Sequence, residues 1–332
     1  MIGTAVLGAS CLSFDNQNLN LEGRTSPIKP ARLKKGDTIA ICAPAGAMGE
    51  PNDAMEFQKI LESLGLQVKI GPNISNRFGY FSNTDEERAS EFMTFISDDE
   101  VQGIFFIRGG WGCARILDYL NFEIIAKNPK IILGFSDITT LLNAITTKTG
   151  LVTFHGPGGN STWNDYSVDY IKQLIFEGKE VHYENLPSDH KIITYSPGEA
   201  AGDLYGGNLS VICSLIGSKH LPDWQGKILF LEDVMEEPYR IDRMLTQLQL
   251  SGILDAVNGI VLGNFRKCMA EEPHKSFTLE EVFEQHFLDL GKPVFYGAQI
   301  GHIRNKFTVP VGVLAKIDSS SGTITLLEPS VV

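Results

Sequence analysis

The chain has 332 residues, 43% of them hydrophobic and 20% charged, and a formal net charge of −12. The length suits two domains or one large one, and the balance is that of an ordinary globular chain. The acidic excess, with basic residues scattered along the sequence, argues against a nucleic-acid or anionic-membrane partner, since both recruit a basic surface.

The first stretch, "MIGTAVLGASCLSF", is uncharged and apolar or small apart from its serines and threonine. It is too short to span a bilayer and lacks the basic start of a signal peptide. It fits either a disordered leader or the remnant of an export signal. Residues 1–35 are therefore set apart as leader and linker, and the compartment stays open between cytoplasm and periplasm.

Apolar runs then alternate with helical patterns. "DTIAICAP" reads as a strand ending in a turn, and "NDAMEFQKILESLG" as a helix closed by glycine. "LQVKI" is a second strand. "TDEERASEFMTFIS" opens on Thr84 with Glu87 three residues later, the pattern of a capping box. "QGIFFIRGG", "KIILGF" and "LVTFHGP" read as buried strands, separated by the amphipathic "CARILDYL" and the helical "ITTLLNAITTKTG". Strands alternating with helices predict an α/β fold with a parallel sheet covered on both faces, Rossmann- or flavodoxin-like.

Past Trp163 the rhythm loosens. "IITYSPGEAAGDLYGGN" is rich in glycine and turn residues. "KILFLEDV", "GIVLGNF", "PVFYGAQIGH" and "FTVPVG" read as strands, "YRIDRMLTQLQLSG" and "TLEEVFEQHFLDLG" as helices, and "IDSSSGTITLLEP" as a closing hairpin. The expected organisation is an N-terminal α/β domain over 36–165, a linker over 166–190, and a β-richer C-terminal α/β domain over 191–330. The cysteines, Cys11, Cys42, Cys113, Cys213 and Cys268, show neither a CxxC pair nor metal-type spacing, which suits free buried thiols.

Ligands of an open parallel sheet gather at the carboxyl ends of its strands. Gly109, Gly110, Ser136, His155, Glu232 and His302 all sit at such ends. Ser136 fits a helix N-cap. It also fits a nucleophile on a strand-to-helix elbow, with Gly134 two residues before it, although Ile138 stands where G-x-S-x-G has its second glycine. A nucleophile needs a base and free N–H groups for the oxyanion. Asp137 N–H would lie unbonded in the first helical turn, and a glycine N–H, from Gly109 or Gly110, could face the same point. His155 and His302 are both candidate bases, and Glu232 and Asp233 are the candidate acids. "RGGWG" completes no dinucleotide fingerprint, no P-loop is present, and no HExxH or other tight His/acid cluster appears. No cofactor and no metal are expected.

The strings "APAG", "IRGGWG", "GFSDIT", "FHGP", "GGNLSVICSLIG", "FLEDVMEEPYRIDRML" and "GAQIGH…VPVG" together resemble the LD-carboxypeptidases. That serine peptidase family includes muramoyltetrapeptide carboxypeptidase and the microcin C7 self-immunity protein. The resemblance runs from Leu33 to Leu327. It implies Ser136 as nucleophile, Glu232 as acid, His302 rather than His155 as base, and Gly110 and Asp137 as backbone oxyanion donors, with the site between the two domains. It implies hydrolysis of the bond between a diamino acid and the terminal D-alanine of a murein tetrapeptide, and a homodimer. Such a substrate ends in a carboxylate, for which Gly109, Arg108 and Arg240 are the expected contacts. The immunity branch implies a peptidyl-nucleotide substrate instead, with Trp163 as a candidate for stacking on a base. A non-catalytic two-lobed binding protein is the alternative of another class, and it would not need the Ser136–Glu232–His302 trio.

Overall fold

The computed structural model describes residues 24–49, 53–189 and 191–332; the apolar leader and Cys11 lie outside them. Five strands follow in chain order: β1 (Thr38–Cys42), β2 (Gln67–Ile70), β3 (Val101–Phe106), β4 (Ile131–Gly134) and β5 (Thr153–His155). Six more come next: β6 (His182–Tyr183), β7 (Ile193–Ser196), β8 (Glu199–Asn208), β9 (Ile228–Val234), β10 (Gly259–Arg266) and β11 (Val294–Tyr296). The last are β12 (Val309–Val311), β13 (Leu314–Asp318) and β14 (Thr323–Leu326).

The first sheet has the order β12-β5-β4-β3-β1-β2. Strands β1 to β5 run parallel, and β12 adds antiparallel to β5. The parallel part is the flavodoxin-like order, whose switch point lies between β1 and β3. The apolar runs are continuous because helices cover both faces: Ile39–Cys42, Ile104–Phe106 and Ile131–Leu133 are fully buried. The second sheet, β6-β14-β13-β8-β9-β10-β11-β7, has a parallel centre of β8 to β11 with antiparallel strands on either side. The architecture is α/β with two sheets, and the closing hairpin is β13–β14.

Three local expectations change. The interval 166–190, expected as a linker, holds most of the helix Asp165–Ile171, a π-helical turn Lys172–Phe176 and β6. Ile171, Leu174 and Ile175 are fully buried, so this segment is pinned to the core. The stretch "EAAGDLYGGN", rich in glycine and turn residues, is the long strand β8. Its glycines are there for close packing: a side chain on Gly206 would begin 1.9 Å from Phe230 O. Thr84 does cap its helix, accepting from Glu87 N, but the Thr84 N–H is taken by Asn83 Oδ1 at 2.9 Å.

The two sheets interlock behind β4. Asn143, on the helix Thr139–Thr149 that follows Ser136, donates to Gly206 O at 2.9 Å. Asn208 N donates to Thr139 Oγ1 at 3.0 Å, and the Gly207 α-carbon closes on the same threonine. The segment 297–308 runs from β11 in the second sheet to β12 in the first.

Gly206 (φ 151°) and Gly150 (φ 74°) test the close packing of β8 on β9 against plain backbone strain. An added Cβ at Gly150 meets nothing, so Gly150→Ala carries only the left-handed penalty of about 1 kcal/mol. Gly206→Ala adds a backbone collision and should cost at least about 2 kcal/mol more. Melting temperatures of the two variants check the order; equal shifts would contradict it.

Candidate active site

Strand β4 ends at Gly134, and the chain turns within two residues. Phe135 is fully extended, Ser136 is left-handed (φ 65°), and a short 3₁₀ turn Ser136–Ile138 leads into the helix. Gly134 is required because a Cβ there would lie 2.8 Å from Ile138 Cγ2 and 2.9 Å from Phe106 Cδ2. Ile138, the residue that breaks the G-x-S-x-G pattern, fills the space over Gly134. A serine at positive φ is strained, which an N-cap does not need, since cap residues take extended backbone. No side-chain cap bond is made at this helix start.

The loop after β3 lies against this elbow. A Cβ on Gly109 would meet Ser136 Cβ at 2.8 Å, Asp137 N at 3.0 Å and Ser136 Oγ at 3.1 Å. Gly110 (φ 107°) faces the Gly46 backbone, and Gly46 N donates to Gly109 O at 3.1 Å, joining the loops after β1 and β3. Asp137 is buried, and its Oδ2 accepts from Cys113 N at 2.8 Å, so its carboxylate ties this loop to the elbow. Burial raises the Asp137 pKa, and the Cys113 N–H works against that. First-turn N–H groups have no intrahelical acceptor, which leaves the Asp137 N–H beside Ser136 available.

Strand β9 separates the two acids. Glu232 is fully buried and accepts from His302 Nδ1 at 2.7 Å through Oε2. Burial pushes its carboxyl up, but the charge of His302, with the histidine contacts around it, holds it down at about 2. Asp233, on the other side of the strand, takes Asn208 Nδ2 at 3.0 Å, Ser210 N at 2.9 Å and Val234 N at 2.8 Å. Burial, and then the charge of Glu232, push Asp233 up to about 6. Asp233 thus anchors the start of helix Leu209–Leu215, while Glu232 faces the histidines.

The two histidines also part ways. His302 is partly exposed, and its ring lies 4.7 Å from that of Phe135, the residue before Ser136. His155 is 1% exposed and sits behind the acid, Nε2 3.9 Å from Glu232 Oε1, beyond hydrogen-bond range. Its ring packs edge-on against Phe230 at 5.4 Å. Gly301 (φ 116°) lets the chain cross Glu232, since a Cβ there would stand 2.7 Å from Oε2.

Arg108 donates from Nη1 to Ala47 O at 2.7 Å and lies beside Gly46 and Gly110. Arg240 is exposed and engages Tyr239 at 3.1 Å and Glu236 at 3.7 Å on its own segment. Trp163 donates its indole N–H to Gly158 O at 2.9 Å and packs 5.4 Å from the Phe57 ring. Two supporting residues escaped the sequence reading. Arg88 is fully buried and bonds Pro44 O, Gly112 O and Asp85, gathering the loops after β1 and β3. Glu91 is 6% exposed and accepts Asn73 N at 2.6 Å and Ala43 N at 3.3 Å. A charged pair at i, i+3 on the inner face of an amphipathic helix was the available signal. Among the described residues, no three His, Cys, Asp or Glu side chains group as a metal site. No helix of them is long and apolar enough to cross a membrane.

Two family models match the chain: the LD-carboxypeptidase N-terminal domain over residues 39–156 and the LD-carboxypeptidase C-terminal domain over 201–317. A Bacillus subtilis protein named "Probable murein peptide carboxypeptidase" is 39% identical over 306 residues, covering 90% of this chain and 94% of that one. Among solved structures, MccF in complex with glutamyl sulfamoyl guanosine superposes with a TM-score of 0.85 at 26% identity, over 92% of this chain and all of that one. Muramoyltetrapeptide carboxypeptidase from Oxalobacter formigenes gives a TM-score of 0.77 at 30% identity, over 87% and 97%.

The strain at Ser136 is measurable without any substrate. Ser136→Gly should melt above Ser136→Ala, by about 1 kcal/mol, because only glycine takes φ 65° freely. An alanine variant as stable as the glycine one would contradict a strained elbow.

Proposed function

The chain belongs to the LD-carboxypeptidase family, and from that premise we propose that it is a serine carboxypeptidase removing the terminal D-alanine from murein tetrapeptides. One observation carries the reading: a buried Glu232 bonded to His302 at 2.7 Å, one aromatic ring away from a left-handed Ser136 at a strand end. An acid held ionised in the interior by a partly exposed histidine is the arrangement of a catalytic pair more often than of a structural one, which favours catalysis over a non-catalytic two-lobed binder.

In this reading the region 36–165 supplies the nucleophile, and 191–330 supplies acid and base. Glu232 holds the His302 ring through Nδ1, leaving Nε2 to take the proton of Ser136 Oγ. The alkoxide attacks the scissile carbonyl, and the oxyanion is met by the N–H groups of Gly110 and Asp137. One such donor contributes about 3 kcal/mol to lowering the barrier. His302 then hands the proton to the leaving amine of D-alanine, the amide C–N bond breaks, and an acyl-serine ester remains. Water, deprotonated by His302, attacks the ester; the proton returns to Ser136 and the tripeptide leaves. Gly109 and Arg108 line the nucleophile's side of the substrate.

The second reading, hydrolysis of a peptidyl-nucleotide, draws on the likeness to MccF, whose complex holds a glutamyl sulfamoyl guanosine. Trp163, the expected base-stacking residue, donates its indole N–H to Gly158 O and packs against Phe57 while staying half-buried.

Incubation with murein tetrapeptide, followed by mass spectrometry, should release tripeptide and free D-alanine. Ser136→Ala and His302→Ala should each lower the rate by about four orders of magnitude or more. Release undiminished by Ser136→Ala would overturn the mechanism. No release from tetrapeptide, with turnover of a peptidyl-nucleotide, would move the substrate to the second reading.

A further inference from the structure

Two lysines of the described chain are more than nine-tenths buried, Lys130 and Lys306. They differ in what their ammonium groups touch. Lys130 Nζ donates to Asp98 O at 2.7 Å and to Val101 O. Lys306, only 4% exposed, has no hydrogen-bond acceptor and no ion-pair partner for Nζ among the described residues. The Phe135 ring lies beneath it, 4.7 Å from Nζ to the centroid. The backbone around it is fixed: Lys306 N donates to Ser167 Oγ at 3.1 Å and Phe307 N to Gln299 O at 2.7 Å. The stem is buried while Nζ, which meets no protein acceptor, stays accessible at its tip, so the charge is open to an incoming acceptor.

Phe135 touches both Lys306 and His302, with its ring 4.7 Å from the imidazole, and it immediately precedes Ser136. His302 protonates the leaving nitrogen in the reaction argued above. In a C-terminal residue, the carboxylate carbon is two covalent bonds from that nitrogen. An ammonium that shares the Phe135 ring with His302 lies on the side of the site from which a terminal carboxylate can be met.

We propose that Lys306 Nζ binds the free α-carboxylate of the residue being removed, and so makes the site selective for chain ends over internal peptide bonds. The inference rests on the carboxypeptidase reading and adds to it the group that recognises the end. Burial lowers the Lys306 pKa to about 8, with the charge of Glu232 opposing and that of Arg266 assisting, so the group is mostly protonated at neutral pH before substrate binds. Arg108, another cation near the elbow, gives Nη1 to Ala47 O but keeps a buried Nε without a partner, so it is the competing candidate that the test includes.

The test compares the tetrapeptide acid with its C-terminal carboxamide. The wild type should prefer the acid in kcat/KM by about a hundredfold or more, the scale of a buried charge pair broken on one side. Lys306→Met and Lys306→Gln should lose that preference, falling on the acid and holding on the carboxamide. The ratio of two substrates in one sample does not depend on how much of a variant is folded. A variant that keeps the preference overturns the assignment. So does an equal loss on both substrates, which would place Lys306 in the shared chemistry, or loss of the preference in Arg108→Met alone. If the wild type cleaves neither peptide, the carboxypeptidase reading itself fails and this inference falls with it.

Discussion

The site hangs on keeping one charge inside the protein. Glu232 is fully buried and ionised, and an unpaired carboxylate there would cost several kcal/mol. His302 meets the charge directly, and the chain reaches it only because Gly301 leaves room beside Oε2. The segment that carries His302 is held at both ends, by β11 in the second sheet and by β12 in the first. Pairing Glu232 through Oε2 therefore ties this crossing segment to β9 and sets the imidazole beside the residue preceding Ser136.

The elbow is held by a separate set of contacts. A left-handed serine persists only where its surroundings over-determine it. Here Gly134 lets the helix start press on the strand, and Gly109 lets the β3 loop press on Ser136 from the other side. Asp137 bonds Cys113 N, and Thr139 receives Asn208 N from β8. The loop that carries Ser136 is thus clamped by its own sheet and by the neighbouring one, the rigidity that the proposed oxyanion site would require.

Much of this was legible in the residues. The alternation of buried strands and helices gave the α/β class, and the polar residues at strand ends marked Ser136, His155, Glu232 and His302. Local sequence could not choose between neighbours. Glu232 and Asp233 point to opposite sides of β9, but alternation alone does not say which side holds the histidine. His155 and His302 both end strand-like runs, and only the three-dimensional path of 297–308 separates them. Burial explains the other differences. Strand β8 hides behind its glycines because a neighbouring backbone occupies the space of their side chains, and the segment after Trp163 looks loose but buries Ile171, Leu174 and Ile175. Lys306 and Arg88 read as ordinary surface charges; their burial depends on partners far away in sequence.

The central claim is that Ser136 is a nucleophile activated by His302. Intact-protein and peptide mass spectrometry after treatment with a fluorophosphonate tests it without assuming any substrate. A single covalent adduct should form on Ser136 and fail to form in His302→Ala. Labelling of another residue with Ser136 left free, or equal labelling with and without His302, would contradict it.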